Sequence, residues 1–372
     1  MSFIPVAPPK VSLPSVYSTA RPQAFVMPDL VSHCTFNLRL HEELPRAVWE
    51  CKAWMINGSN ISRNEKTLNS LHGLKAGELT CACYPLAPLH KLRVCCDFMN
   101  WLFHLDDISD DMDDDGTITI GDEVMTTYLH PDTYNPQTHV GKLTKSYWTR
   151  FIAEGSQGSQ KRFVGTMDLF FKAVTIQAHD RAAGIIPDLE DYIIMRRDTS
   201  GCKPCWALVE YANGLDISDE VMEHPILQSL SEATNDLVTW SNDIFSYNRE
   251  QAKGDTHNMI VIMMYHHGMS LQEAVDFVGS LCQKSIDRFV EDRARLPSWG
   301  PEIDEQVQVY VQGLADWIVG SLHWSFDSER YFGKKGLEIK ETRIVELAPL
   351  RAPKSVALAN SPISDESAVR VC

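Results

Sequence analysis

Trp240-Ser241-Asn242-Asp243-Ile244-Phe245-Ser246-Tyr247-Asn248-Arg249-Glu250 is the stretch whose reading decides how this chain is built. Asn242, Ser246 and Glu250 stand at i, i+4 and i+8, so a helix stacks their three oxygen-bearing side chains on one face. Ile244, Phe245 and Tyr247 fall between them and give that helix a surface to bury. An amide, a hydroxyl and a carboxylate in line are hard ligands, suited to Mg²⁺ and a poor match for zinc or copper. Arg249, just before the carboxylate, can pair with a phosphate that shares the metal. Such a face needs a second acidic wall elsewhere in the chain.

That wall follows an apolar run. From Leu89 to about His104 the sequence is apolar almost all round, as in a helix buried within a bundle. It leads straight into Leu105-Asp106-Asp107-Ile108-Ser109-Asp110-Asp111-Met112-Asp113-Asp114-Asp115-Gly116. Seven of the ten residues from Asp106 to Asp115 are aspartates, and like charges so dense call for a counter-ion. One further helical turn would bring Asp106 and Asp110 to the same side. A competing reading starts at Asp111. Asp111, Asp113, Asp115, Gly116 and Ile118 fit a calcium-loop template that ends at Asp122, where Asp replaces the usual Glu, and no partner loop is visible.

The chain has 372 residues, 44% of them hydrophobic, and a formal charge of -16. One large domain with a full core is affordable at that length. No run of Lys and Arg offsets the acidity, so a nucleic-acid partner is not expected. No window is long and apolar enough for a membrane span, and the first residues lack a signal-peptide pattern. Ten cysteines in a chain this long form no disulfide framework. Cys202-Lys203-Pro204-Cys205 has redox or zinc-knuckle spacing, but no second pair accompanies it, and core thiols are the simpler reading. A reduced, cytoplasmic protein is expected.

The element pattern is helical throughout. Residues 1–28 are proline-rich and almost uncharged, and are expected to form an irregular arm. Helical periodicity starts near Thr35, and a second helix is expected from Leu68 to Pro85. After the Asp-rich loop and a short helix near Asp122–Leu129, further helices are expected near 141–154, 160–182, 188–199 and 202–213. One more begins near Pro225 and carries the opening motif to Glu250, followed by others over 257–267, 271–296 and 301–331. No sustained alternation marks a strand. The domain therefore spans 29–335, and 336–372 is expected to be a flexible tail.

An apolar helix ending in Asp106-Asp107-Ile-Ser-Asp110, followed later by Asn242-Asp243-Ile-Phe-Ser246-Tyr-Asn-Arg249-Glu250, resembles the class I terpene synthases, and most closely the fungal sesquiterpene synthases of basidiomycete type. Trp324-Ser-Phe-Asp-Ser-Glu-Arg330-Tyr331 looks like that family's C-terminal Arg-Tyr pair. Arg196-Arg197-Asp198-Thr199-Ser200-Gly201 stands at the place of its pyrophosphate-sensing arginine. The resemblance implies an all-α, single-domain helical bundle with a central apolar active-site cavity. It also implies a set of roles. Asp106 and Asp110 would serve two of three Mg²⁺ ions that arrive with the diphosphate, and Asn242, Ser246 and Glu250 the third. One of Arg196 and Arg197, with Arg249, Arg330 and Tyr331, would bind the diphosphate. Asp106, Asn242 and Arg330 would be the catalytic residues.

The implied reaction is ionisation of farnesyl diphosphate and cyclisation of the cation to a C15 hydrocarbon or alcohol, with a cadinane-type skeleton favoured. Metal ions and arginines stabilise the developing diphosphate charge. The cation needs a dry pocket with aromatic walls, for which Phe103 and Trp324 are the candidates and Phe170 or Phe171 a further one. The free protein is expected as a monomer or homodimer. Two alternatives stay open at this point: a chain-elongating prenyl diphosphate synthase, and a non-catalytic helical calcium-binding protein that uses the 111–122 loop.

Overall fold

The computed structural model describes residues 23–59, 61, 64–109 and 114–350. The first half of the chain forms α1 (Leu30–His33), α2 (Leu44–Gly58), α3 (Glu65–Leu74), α4 (Ala76–Cys83), α5 (Leu89–Ser109), α6 (Asp114–Leu129), α7 (His139–Glu154) and α8 (Gln157–Ala183). The second half forms α9 (Leu189–Thr199), α10 (Cys202–Asn213), α11 (Asp219–Met222), α12 (Pro225–Lys253), α13 (Met259–His267), α14 (Leu271–Ala294), α15 (Pro301–Asp327) and α16 (Gly336–Thr342). Two short strands, β1 (Ala24–Val26) and β2 (Ile344–Glu346), and a 3-10 turn at Gly333–Lys335 are also present.

The helix carrying the opening motif shows how local chemistry sets the boundaries. The His224 side chain accepts from the Ile226 N–H, Pro225 occupies the first turn, and the helix stops at left-handed Gly254, the usual start and stop signals. A capping box of Ser270 and Glu273 opens α14, which packs along α12. On its other sides α12 meets α15, α10 and α9, while α5 lies against α2, α4, α7 and α10. The two motif-bearing helices thus face one interior space.

Two glycines shape that space. Gly201 caps α10 with φ 69°, a conformation that L side chains avoid, and a Cβ there would sit 2.9 Å from Leu102. The resulting break turns α9 into α10 at the cavity wall. At Gly313 on α15 a Cβ would come within 2.4 Å of Val209, so α15 and α10 touch closely because the side chain is missing.

Several expectations need correction. Helix α2 starts at Leu44 rather than Thr35, and Leu38 and Leu40 upstream of it are exposed. The expected 68–85 helix is divided at left-handed Lys75 into α3 and α4. Strands do occur: Phe25 pairs with Val345 in an antiparallel ladder, and both are buried. Three-residue strands carry too few alternations to be read by period. Order also continues past residue 335 through α16 and β2, because Asn248 and Gln251 on α12 bond to the backbone of Glu346 and Ala348. Residues 1–22 and 351–372 lie outside the described residues. Finally, helix α6 runs from Asp114 through Asp122, so Gly116 does not make the sharp turn that a calcium loop requires. The calcium-loop reading is set aside on that ground.

Candidate active site

A single cavity of about 270 Å³ receives both motifs. Asp106 and Asp107 reach it from the end of α5, and Asn242, Ser246, Arg249 and Glu250 from α12. Arg196, Arg330 and Tyr331 also line it, as do Phe103, Trp324, Phe170 and Phe171. Arg197 does not. It is drawn into a bidentate pair with buried Asp236, Nε to Oδ1 at 2.7 Å and Nη2 to Oδ2 at 2.8 Å. Of the two adjacent arginines, Arg196 is therefore the one at the cavity. Asp110 lies outside the described residues.

The α12 face is held with its oxygens arranged for a ligand. Asn242 donates from Nδ2 to the Tyr331 hydroxyl at 2.6 Å and accepts at Oδ1 from Arg196 at 2.8 Å. Its oxygen is thereby turned toward the guanidinium. Ser246 Oγ is buried and interacts with the Glu250 carboxyl, favouring its charged form. Asn258, the cap of α13, donates to Glu250 Oε2 at 2.9 Å and to the Asp243 carbonyl at 2.7 Å. Burial above all, then Asp255 and Asp243, raises the Glu250 carboxyl to about 7. A half-buried carboxyl beside a buried hydroxyl and an amide oxygen fits a hard divalent cation.

Three arginines surround these oxygens. Arg330 donates from Nη2 to Asp106 Oδ2 at 2.8 Å and lies 4.8 Å from the Phe103 ring centroid. Burial opposes its charge, but Asp106, Tyr331 and Asp107 outweigh that and raise its pKa. Arg196 is likewise disfavoured by burial and raised by Asp243, whose Oδ1 it meets at 3.1 Å. Arg249 differs. Burial and the neighbouring Arg330 lower its pKa, and it donates to the Arg330 carbonyl. The repulsion between Arg249 and Arg330 makes this side of the cavity favourable for an anion.

The apolar part is aromatic. The Phe103 and Trp324 rings lie 5.5 Å apart, and Trp324 meets Tyr331 edge-on at 5.9 Å. The Trp324 indole N–H is tied to the carbonyls of Leu74 and Lys75, so its ring is fixed. Sequence reasoning missed the supports: Asp243, which holds Arg196 and accepts from Tyr192 at 2.6 Å, and Asn258. Asp243 carried a signal, since it sits inside the quoted motif; Asn258 carried none beyond being a helix cap.

An all-helical bundle in which an acidic helix end and an Asn/Ser/Glu face meet over one aromatic cavity defines the class I terpenoid synthase fold. Residues 97–288 match the profile described as terpene synthase family 2, C-terminal metal binding. Sesquiterpene synthase 2 of Postia placenta is 60% identical, over 91% of this chain and 99% of its own length. Alpha-muurolene synthase of Coprinopsis cinerea is 52% identical, over 91% of this chain and 81% of its own. The chain belongs to the terpene synthase family. Among solved structures, a-eudesmol synthase superposes with a TM-score of 0.70 at 22% identity, covering 78% of this chain and 97% of that one. Hedycaryol synthase in complex with nerolidol gives 0.69 at 22%, covering 81% and 100%. At that identity these two speak to the fold alone. No helix among the described residues is long and apolar enough to cross a membrane.

Proposed function

We propose that this terpene synthase is a Mg²⁺-dependent sesquiterpene synthase that ionises farnesyl diphosphate, cyclises the cation and releases diphosphate. The observation that carries the reading is the convergence of Asp106, Asn242, Ser246 and Glu250 with Arg196, Arg249 and Arg330 on one cavity that Phe103 and Trp324 also line. Bound Mg²⁺ ions, three on this reading, would neutralise the diphosphate and make it a better leaving group. Asp106 would hold them from one side and Asn242, Ser246 and Glu250 from the other, with Asp110 as a further ligand.

The protein's own groups do the rest. Arg196, Arg249 and Arg330, with the Tyr331 hydroxyl, orient the diphosphate and take up charge as the C–O bond breaks. The ring faces of Phe103 and Trp324 steady the cation without attacking it. The apolar walls keep water from trapping it. The 52% identical alpha-muurolene synthase supports a cadinane-type skeleton for the product.

The test is direct. Purified protein with farnesyl diphosphate should yield diphosphate and a volatile C15 product. EDTA should stop turnover and added Mg²⁺ restore it. Undiminished turnover in EDTA would overturn the metal assignment.

A further inference from the structure

His257 stands out among the cavity residues. It is 5% exposed, it lines the cavity, and neither ring nitrogen has a hydrogen-bond partner. A buried imidazole with two unpartnered nitrogens carries a desolvation cost that nothing in the free protein offsets. The backbone around it is fixed: its N–H donates to Asp255 Oδ1 at 3.0 Å and its carbonyl accepts from the Tyr192 hydroxyl at 3.4 Å. Asp255 is in turn held by Arg181 Nη2 at 2.9 Å. The backbone of the α12–α13 turn is therefore fixed, and the ring it carries into the cavity is close enough to Arg196 to feel its charge. Burial first, then the charge of Arg181, lowers its pKa. A neutral imidazole always has one N–H to donate.

We propose that His257 is a further diphosphate-binding residue, whose ring N–H donates to a diphosphate oxygen beside Arg196. This deepens the reading above and rests on it. Arg196, Arg249 and Arg330 supply charge, but each is already engaged by Asp243 and Asn242, by the Arg330 carbonyl, or by Asp106. His257 supplies a donor that needs no exchange of partners when the anion arrives. It also explains why the chain tolerates an unpaired ring in the free protein: the partner comes with the substrate.

The experiment uses inorganic pyrophosphate with Mg²⁺ as the probe and thermal unfolding of the full chain as the readout, so it does not depend on turnover. Pyrophosphate with Mg²⁺ should stabilise the wild type in a saturable way. His257→Leu should unfold at the wild-type temperature or higher without ligand, because no hydrogen bond is lost. It should require about ten- to a hundredfold more pyrophosphate for the same shift, the loss expected for one hydrogen bond to a charged group. His257→Gln, which keeps a side-chain N–H, should recover part of the affinity and covers the case in which the leucine variant does not fold. Equal pyrophosphate affinity in the wild type and the variants that fold would overturn the proposal. So would a ligand-free loss of stability with unchanged affinity, which marks a structural residue. A wild type that pyrophosphate and Mg²⁺ do not stabilise would instead overturn the underlying diphosphate site.

Discussion

Arg330 and Asp106 are 224 positions apart in the chain, and the arginine Nη2 donates to the aspartate Oδ2 at 2.8 Å. Arg196 stands to Asn242 in the same relation, at 2.8 Å. In the free protein these two oxygens assigned to a metal, on Asp106 and Asn242, are each held by an arginine assigned to the diphosphate. On the proposed reading each guanidinium would stand in for a cation in the free protein, and both partners would exchange when metal and diphosphate bind. Arg330→Ala should lower kcat/KM by roughly a hundredfold or more, the loss expected for one preorganised donor. Combined with Asp106→Asn, the double variant should lose much less than the product of the single losses. Strictly multiplicative losses would argue against a shared step.

The Glu250 carboxyl, raised to about 7 chiefly by burial, gives a pH dependence with a definite sign. Its folded value lies above the ordinary carboxylate value, so below about pH 7 the free site holds a proton that a metal must displace. At limiting Mg²⁺ the rate should fall as pH drops through 7, and raising Mg²⁺ should move that acid limb to lower pH. Steady-state rates at two Mg²⁺ concentrations between pH 5.5 and 8.5 check this. A limb that stays in place contradicts it.

Trp324 has two separable jobs. Its indole N–H serves the carbonyls of Leu74 and Lys75, and its ring lines the cavity. Trp324→Phe leaves buried carbonyls without that donor and should cost about 1–3 kcal/mol of stability, measured by chemical denaturation, while keeping an aromatic wall and most turnover. Trp324→Ala removes the wall as well, and its products should shift toward early-quenched alcohols.

Gly313 tests how tightly the cavity shape is set. A methyl group there would meet Val209 at 2.4 Å and push α15 from α10, both of which line the cavity. Gly313→Ala should cost about 1–3 kcal/mol, as overpacked cores do, and should alter the product ratio without changing Mg²⁺ dependence. Unchanged stability and product ratio would show that the contact relaxes without strain.

Much of this architecture was legible in residue order. The i, i+4, i+8 register of Asn242, Ser246 and Glu250 needs only helical geometry, and the long amphipathic runs from α7 to α15 announce themselves by period. What stayed hidden depends on distant chain segments. Arg196 and Arg197 are neighbours in one helix, and only the position of Asp236 decides which of them turns away from the cavity. The β1–β2 clasp joins the two ends of the domain through six residues, too few for any pattern. In the sequence His257 is an ordinary residue at the start of the helix expected over 257–267, which instead begins at Met259; its unpartnered ring exists only once α12 and α13 are packed.

The central claim is that Asp106 and Asn242, from the two motif helices, act on one diphosphate. Gas chromatography of farnesyl diphosphate incubations with Mg²⁺, comparing wild type, Asp106→Ala and Asn242→Ala, tests it most directly. The account predicts a C15 hydrocarbon or alcohol from the wild type and none above background from either variant. Full turnover in both variants, or a C20 diphosphate from the wild type once isopentenyl diphosphate is added, would contradict it.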